Sequence, residues 1–101
     1  MIRYIYNKHG TAVAYVQGRY IHSIRGEAVG QIASETHVHR LTGEYVGELH
    51  KDMIVDKHLG NLGNIGNSGN PGNTGNPGNP GDRGIIDYGY PDMSSVLLAD
   101  Q

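Results

Sequence analysis

Apolar and polar positions form a short pattern that recurs four times along the chain. In each copy a β-branched residue stands between mostly more polar or aromatic neighbours, and a glycine follows five residues later. The β-branched residues are Ile5, Ile21, Val38 and Val55, and the glycines are Gly10, Gly26, Gly43 and Gly60. Because side chains alternate between the two faces of a strand, the pattern predicts a strand before each glycine, with its β-branched residue in a shared core.

A return strand is predicted after each of the first three glycines, so each copy forms a β-hairpin. The glycine is expected at a tight reversal with positive φ. Two apolar positions on each return strand lie three residues apart, which strict alternation cannot bury together, so we expect a β-bulge there. These pairs are Val13 and Val16, Val29 and Ile32, and Val46 and Leu49. The position between them is always small, which indicates close backbone contact near an axis; it holds Ala14, Gly30 or Gly47.

A lone hairpin is not stable in water, but four similar hairpins can bury their apolar faces around a common centre. The sequence therefore predicts an all-β fold, in which four pseudo-symmetric hairpins form a shallow closed barrel. The fourth copy is interrupted after Gly60. We expect residues 85–90 to supply its return strand, because closure removes exposed sheet edges. This divides the chain into a hairpin body at 1–59, a low-complexity tract at 60–84, and a C-terminal strand and tail at 85–101.

The repeated hairpins resemble the four-fold β-flower family of bacterial proteins. The resemblance covers roughly residues 2–60 and rests on a motif such as Tyr4-Ile5-Tyr6, a glycine at Gly10 and Val13-Ala14, repeated every 16–17 residues. It implies petals that form a shallow symmetric barrel with an apolar central channel. It brings no established activity, although a likeness to tubby-like lipid-binding folds hints at a lipid-like ligand. The fourth copy departs from the family pattern because its return strand is not contiguous.

The tract from Gly60 to Gly84 has glycine at every third position, and asparagine follows the first seven of these glycines. Strict Gly-X-Y is the rule of the collagen triple helix, but no proline occupies an X position here. We favour an extended linker. The alternatives are an ordered ribbon packed on the body and a collagen-like bundle, which would require a trimer. The extended-linker interpretation favours a monomer.

Composition narrows the function classes. The 101 residues contain no cysteine, and the formal net charge is −2. Without clustered basic residues a nucleic-acid surface is not expected. The first residues lack the pattern of a signal peptide, and the apolar runs are too short to cross a bilayer. We therefore expect a soluble cytoplasmic protein that is not transmembrane.

Histidines and an aspartate form a candidate metal site. His37 and His39 stand two apart and would share a strand face, and His22 occupies the slot of His39 in the previous copy. With Asp56 in the same slot of the fourth copy, these residues would form a ring able to hold zinc or iron. We favour the simpler interpretation, that they are polar residues on the solvent face of half-buried strands.

Tyrosines suggest a different site. Tyr4, Tyr6 and Tyr20 combine apolar rings with polar tips, which suits the mouth of a ligand site. Together with the small residues they would line a site for an apolar or lipid-like ligand on the barrel axis. The alternative is that tyrosines replace the absent phenylalanine and tryptophan in an ordinary core and rim.

No residue pattern of an enzyme is found, so we expect neither catalytic residues nor a cofactor. The serines lack a Gly-x-Ser-x-Gly setting, and the glycine-rich tract lacks the Lys-Ser/Thr ending of a phosphate-binding loop. The expected function is a small non-catalytic binding or interaction module. The alternatives are a structural oligomerisation module that uses the tract, and a metal-binding site on the His/Asp ring.

Overall fold

The computed structural model describes residues 3–34, 36–57, 63, 65–66, 69, 71–72, 80–81, 84–85 and 88–98. Its strands are β1 Arg3–Tyr6, β2 Ala12–Gln17, β3 Tyr20–Ser23, β4 Ala28–Ala33, β5 His37–Arg40, β6 Tyr45–His50 and β7 Met53–Val55, and a short helix, α1, spans Ser94–Leu98. Each strand pairs antiparallel with the next one in the chain. The sheet curls into a nearly closed barrel, in which the Tyr6 amide of β1 reaches the carbonyl oxygen of Asp52 before β7 at 2.8 Å. The all-β hairpin fold expected from the sequence is confirmed.

The hairpin turns are built as the sequence predicts. Gly10, Gly26 and Gly43 have φ values of 81°, 95° and 108°, a conformation that strains any residue with a Cβ. In each turn the glycine amide donates to the carbonyl oxygen three residues earlier, at 2.8–3.0 Å. Gly60 lies outside the described residues.

The predicted bulge is present in all three complete hairpins. Ile5 pairs with Ala14, whereas the next residue, Tyr6, pairs with Ala12, so Val13 is the extra residue of β2. The same shift leaves Val29 extra in β4 and Val46 extra in β6. The bulge turns the extra valine towards the core side, so that both apolar positions of the return strand contribute to one cluster.

The counterpart of Ile5, Ile21 and Val38 in the fourth hairpin is Ile54, one position earlier than predicted, whereas Val55 is also fully buried but lies outside the cluster that these residues form. Ile54 pairs with Leu49 as Ile21 pairs with Val16 and Val38 with Ile32, and it is 1% exposed. The reason is loop length. The β4–β5 connection has three residues, whereas the β2–β3 and β6–β7 turns have two, so the fourth copy begins 16 rather than 17 residues after the third.

The small positions of the return strands lie against neighbouring backbone, as expected. A Cβ on Gly30 would stand 2.9 Å from the carbonyl oxygen of His39, and one on Gly47 would stand 2.7 Å from that of Val55. Real Cβ atoms essentially never approach that closely, so a side chain at either position would force the strands apart.

The fourth hairpin is completed by residues 91–98, here called the closing segment. The Asp56 amide donates to Pro91 O at 3.0 Å, the Met93 amide donates to Ile54 O at 2.8 Å, and Asp92 forms a β-bridge with Val55. The pairing thus comes later in the chain than residues 85–90. Of that expected strand, residues 86–87 lie outside the described part, and Ile85 and 88–90 are not in a strand.

Described parts of the tract contact the body at a hairpin turn and at strand β4. Ile65 N donates to Gly43 O at 2.9 Å, and Gln31 Nε2 donates to Gly66 O at 3.1 Å. The collagen-like conformation is not confirmed, because several described glycines have positive φ where a polyproline-II chain needs about −75°. These are Gly63 (91°), Gly69 (71°), Gly72 (102°), Gly81 (88°) and Gly84 (76°). The two contacts favour the ribbon interpretation where the tract is described.

Among the described residues, no helix has the length and apolar character needed to cross a membrane.

Candidate functional site

The position expected for an apolar ligand is filled by the chain itself. Leu97 of α1 is 2% exposed and packs in the cluster formed by the core residues of all four hairpins. Its methyl carbons lie 3.1 and 3.3 Å from the place where Gly30 would carry a Cβ, and Met93 lies 3.5 Å from the corresponding place at Gly47. Ala14, the third small residue, is 1% exposed in the same cluster. The small positions therefore make room for the closing segment.

His22 and His39 have the same structural role in successive hairpins. Each is 2% exposed, and each donates from Nδ1 to the carbonyl oxygen of its own turn glycine, Gly26 at 3.1 Å and Gly43 at 3.0 Å. A backbone carbonyl can only accept, so Nδ1 carries the proton. The expectation that these histidines face solvent is wrong, because the face opposite the core forms a second buried layer.

The four candidate metal ligands are not brought together. His37 lies at the sheet surface beside Glu48, and Asp56 lies one residue beyond the slot of His22 and His39, which Val55 occupies. In the described part of the chain, no group of three His, Asp or Glu side chains is placed to hold a metal ion.

The candidate tyrosines are distributed over two hairpins. Tyr6 is 8% exposed, whereas Tyr4 and Tyr20 are half-buried. The guanidinium carbon of Arg19 lies 5.4 Å from the centre of the Tyr20 ring. None of the three lines the cavity described next.

A surface cavity of about 570 Å³ lies between the β1–β2 turn and the closing segment. Its lining, here called the closure pocket, consists of Lys8, His9, Ile85, Tyr90, Pro91, Asp92 and Ser95. Asp92 joins its two walls, since one carboxylate oxygen accepts from the Lys8 amide at 3.0 Å and the other accepts from the Ser94 amide at 2.9 Å. The second oxygen also accepts from the Ser94 hydroxyl at 2.8 Å, which caps α1. The hydrogen bonds of Asp92 therefore hold the two walls of the pocket together.

A sequence model of the family described as 4-fold beta flower protein matches residues 3–92. The chain belongs to this family. The match extends through Asp92, so in this β-flower protein it includes the residue that forms a β-bridge with Val55 of β7 as well as the three contiguous hairpins. No curated protein and no solved structure matches the chain.

Beside the closure pocket of the β-flower lies a layer of aromatic and basic side chains. The His50 ring stands edge-on between Tyr88 and Tyr90, with ring centres 5.3 and 5.5 Å away. Lys51 Nζ lies 4.9 Å from the Tyr88 ring centre, and Lys57 Nζ lies 5.7 Å from that of Tyr90. Loss of hydration, followed by the positive charges of Lys57 and Lys51, holds the pKa of His50 below its ordinary value. Tyr90 belongs to both this layer and the pocket wall.

A second polar cluster lies on the third hairpin, around the buried carboxylate of Glu48. Glu48 is 5% exposed and accepts hydrogen bonds from Thr36 Oγ1 at 3.1 Å and from Tyr45 Oη at 3.2 Å. His37 Nε2 lies 3.7 Å from the same carboxylate. Burial, together with the charge of Glu48 and the hydrogen bond to it, raises the pKa of Tyr45 to about 12.

This cluster predicts a loss of stability at alkaline pH. Tyr45 ionises near pH 10 in the unfolded chain but only at about 12 in the folded one, so its contribution is full below pH 10 and is lost as pH rises to 12. Because the ring is partly exposed, we expect a loss of about 1 kcal/mol rather than the full value of the shift. Urea unfolding of wild type and Tyr45→Phe between pH 9 and 12 measures it. The difference in the free energy of unfolding between the two proteins should narrow as pH rises, and a constant difference would refute the prediction.

No pattern in the sequence marks the pocket residues as a site. The available signal was Asp92 two residues before Ser94, a typical helix cap, at the start of a segment whose Met93 and Leu97 share an apolar side. That signal locates α1. It does not place α1 beside the β1–β2 turn, since Lys8 and Asp92 are 84 residues apart.

Proposed function

We propose that this β-flower protein is a small non-catalytic binding module whose ligand site is the closure pocket. The observation that carries the proposal is the cavity itself. Its volume of about 570 Å³ lies within the range of about 300–1,000 Å³ typical of small-molecule sites. Ile85, Tyr90 and Pro91 give its lining apolar surface, and Lys8 and His9 give it polar groups, the combination that orients a small ligand.

The pocket is favoured over the barrel axis because the axis holds Leu97. An apolar ligand there would have to displace a side chain that is 2% exposed and packed among the core residues. The closure pocket requires no such displacement, since it opens to the surface.

A binding role is favoured over catalysis by the partners of the polar groups. Ser95 and His9 both line the pocket, but no hydrogen bond joins them among the described residues. The carboxylate of Asp92 bonds to Lys8 and Ser94 instead of orienting His9. An activated nucleophile needs a base within hydrogen-bond reach and a group that orients that base.

Amide chemical shifts of the ¹⁵N-labelled full chain test the proposal. We would titrate two probes of one shape separately, 4-phenylbutyrate and the neutral 4-phenylbutyramide. At least one should shift the amides of Lys8, His9, Tyr90 and Ser95 in a saturable manner. Tyr90→Ala should weaken that binding roughly fivefold, because it removes the aromatic wall.

Tyr20→Ala is the matched control, since it removes a partly buried tyrosine from another hairpin. It should leave the affinity of the probes unchanged. If neither probe shifts the pocket amides, or if both tyrosine variants weaken binding equally, the closure pocket is not the ligand site.

A further inference from the structure

We infer that the ligand of the closure pocket is an organic anion, with one acidic group on an aromatic or apolar body. This inference rests on the proposed function and adds the charge and shape of the ligand. The charges around the cavity, the lysines in the layer around His50 and the exposed apolar surface support it.

Basic side chains lie on both sides of the cavity. Lys8 and His9 lie in the wall formed by the β1–β2 turn, and Lys57 lies against Tyr90 of the opposite wall. Among the described lining residues the only acid is Asp92, whose oxygens already accept three hydrogen bonds from Lys8 and Ser94. The whole chain carries a formal charge of −2, so an anion would be attracted by these local basic groups and not by the net charge of the protein.

His50 lies in a layer that also places Lys51 beside Tyr88 and Lys57 beside Tyr90. It contacts Tyr90, the residue shared with the pocket wall, and Lys57 and Lys51 help to keep its pKa low. A ligand acidic group placed beside Tyr90 would lower the energy of these cations.

The body of the ligand follows from the apolar side of the pocket. Ile85 is 85% exposed and Tyr90 is 37% exposed, and they are two of the three large apolar side chains exposed in the described part of the chain. Both line the same cavity. Covering them by an aromatic or aliphatic body would remove apolar surface from water, which a bare inorganic anion cannot do.

The experiment compares three probes on the ¹⁵N-labelled full chain at pH 7: 4-phenylbutyrate, 4-phenylbutyramide and inorganic phosphate. We expect 4-phenylbutyrate to bind at least fivefold more tightly than the amide, and phosphate alone to leave Tyr90 unshifted. Lys8→Gln and Lys57→Gln should each weaken 4-phenylbutyrate roughly three- to fivefold, as expected for an exposed ion pair. Neither should change the binding of the amide.

Arg25→Gln is the control, because it removes an exposed positive charge from the turn of the second hairpin. If both phenyl probes bind equally and the lysine variants have no effect, the ligand is not an anion, although the pocket remains the site. If phosphate binds as well as 4-phenylbutyrate, the apolar part of the inference is overturned. If Arg25→Gln matches the lysine variants, the effect is due to net charge alone and the inference fails.

Discussion

Leu97→Ala is expected to destabilise the β-flower by about 3 kcal/mol, because it leaves a cavity where a leucine is buried among the core residues of four hairpins. That is a large share of the stability of a domain this small. The surrounding positions cannot relax into the gap, since Gly30 has no side chain and lies against the His39 carbonyl. Urea unfolding followed by circular dichroism measures the loss.

Val96→Ala provides the comparison within the same helix. Val96 is 39% exposed, and its carbonyl oxygen, which accepts from Arg40 at 3.0 Å, is unchanged by the substitution. We expect Val96→Ala to change the free energy of unfolding by about 0.5 kcal/mol or less. Equal losses in the two variants would mean that α1 does not complete the core.

Asp92→Ala is expected to release the closing segment from the β1–β2 turn and to cost about 2–3 kcal/mol. The carboxylate accepts from the Lys8 amide and from both the amide and the hydroxyl of Ser94, and hydrogen bonds to a charged group contribute more than neutral ones. Hydrogen exchange gives a direct measure. The Lys8 amide, protected by Asp92, should exchange much faster in the variant, as should the amides of Asp56 and Met93.

Asp92→Asn should lie between wild type and Asp92→Ala, because the amide keeps one acceptor oxygen but loses the charge. Ser95→Ala alters the next exposed position and should leave the Lys8 amide protected. If Lys8 exchanges at the wild-type rate in Asp92→Ala, the carboxylate does not hold the barrel closed.

The hairpins could be predicted from the sequence because their determinants are local. A strand needs only alternating side chains, a turn such as Gly26 needs only a residue that tolerates positive φ, and the bulge at Val29 follows from apolar positions three residues apart. These are properties of a few neighbouring residues. They recur in three copies, so each copy supports the assignment of the others.

The register of the fourth copy and the roles of the histidines could not be predicted in this way. The alignment on Gly60 favoured Val55 as a core residue, but the two-residue β6–β7 turn sets the register and places Ile54 there. His22 was assigned to a solvent face because polar residues usually mark one. It is buried because its ring donates to Gly26 O and stacks on Tyr15 across the β2–β3 pair.

The sequence by itself determined the hairpin repeats, their turn glycines, the bulges and the all-β class, since each depends on interactions between residues close in the chain. Tertiary structure decided what occupies the axis and where the pocket lies. Leu97 of α1 meets Gly30 of the second hairpin, and Lys8 meets Asp92, which is 84 residues away in the chain. The sequence around one residue of such a pair does not indicate its partner. These contacts depend on how the whole barrel closes and on which surfaces remain to be covered.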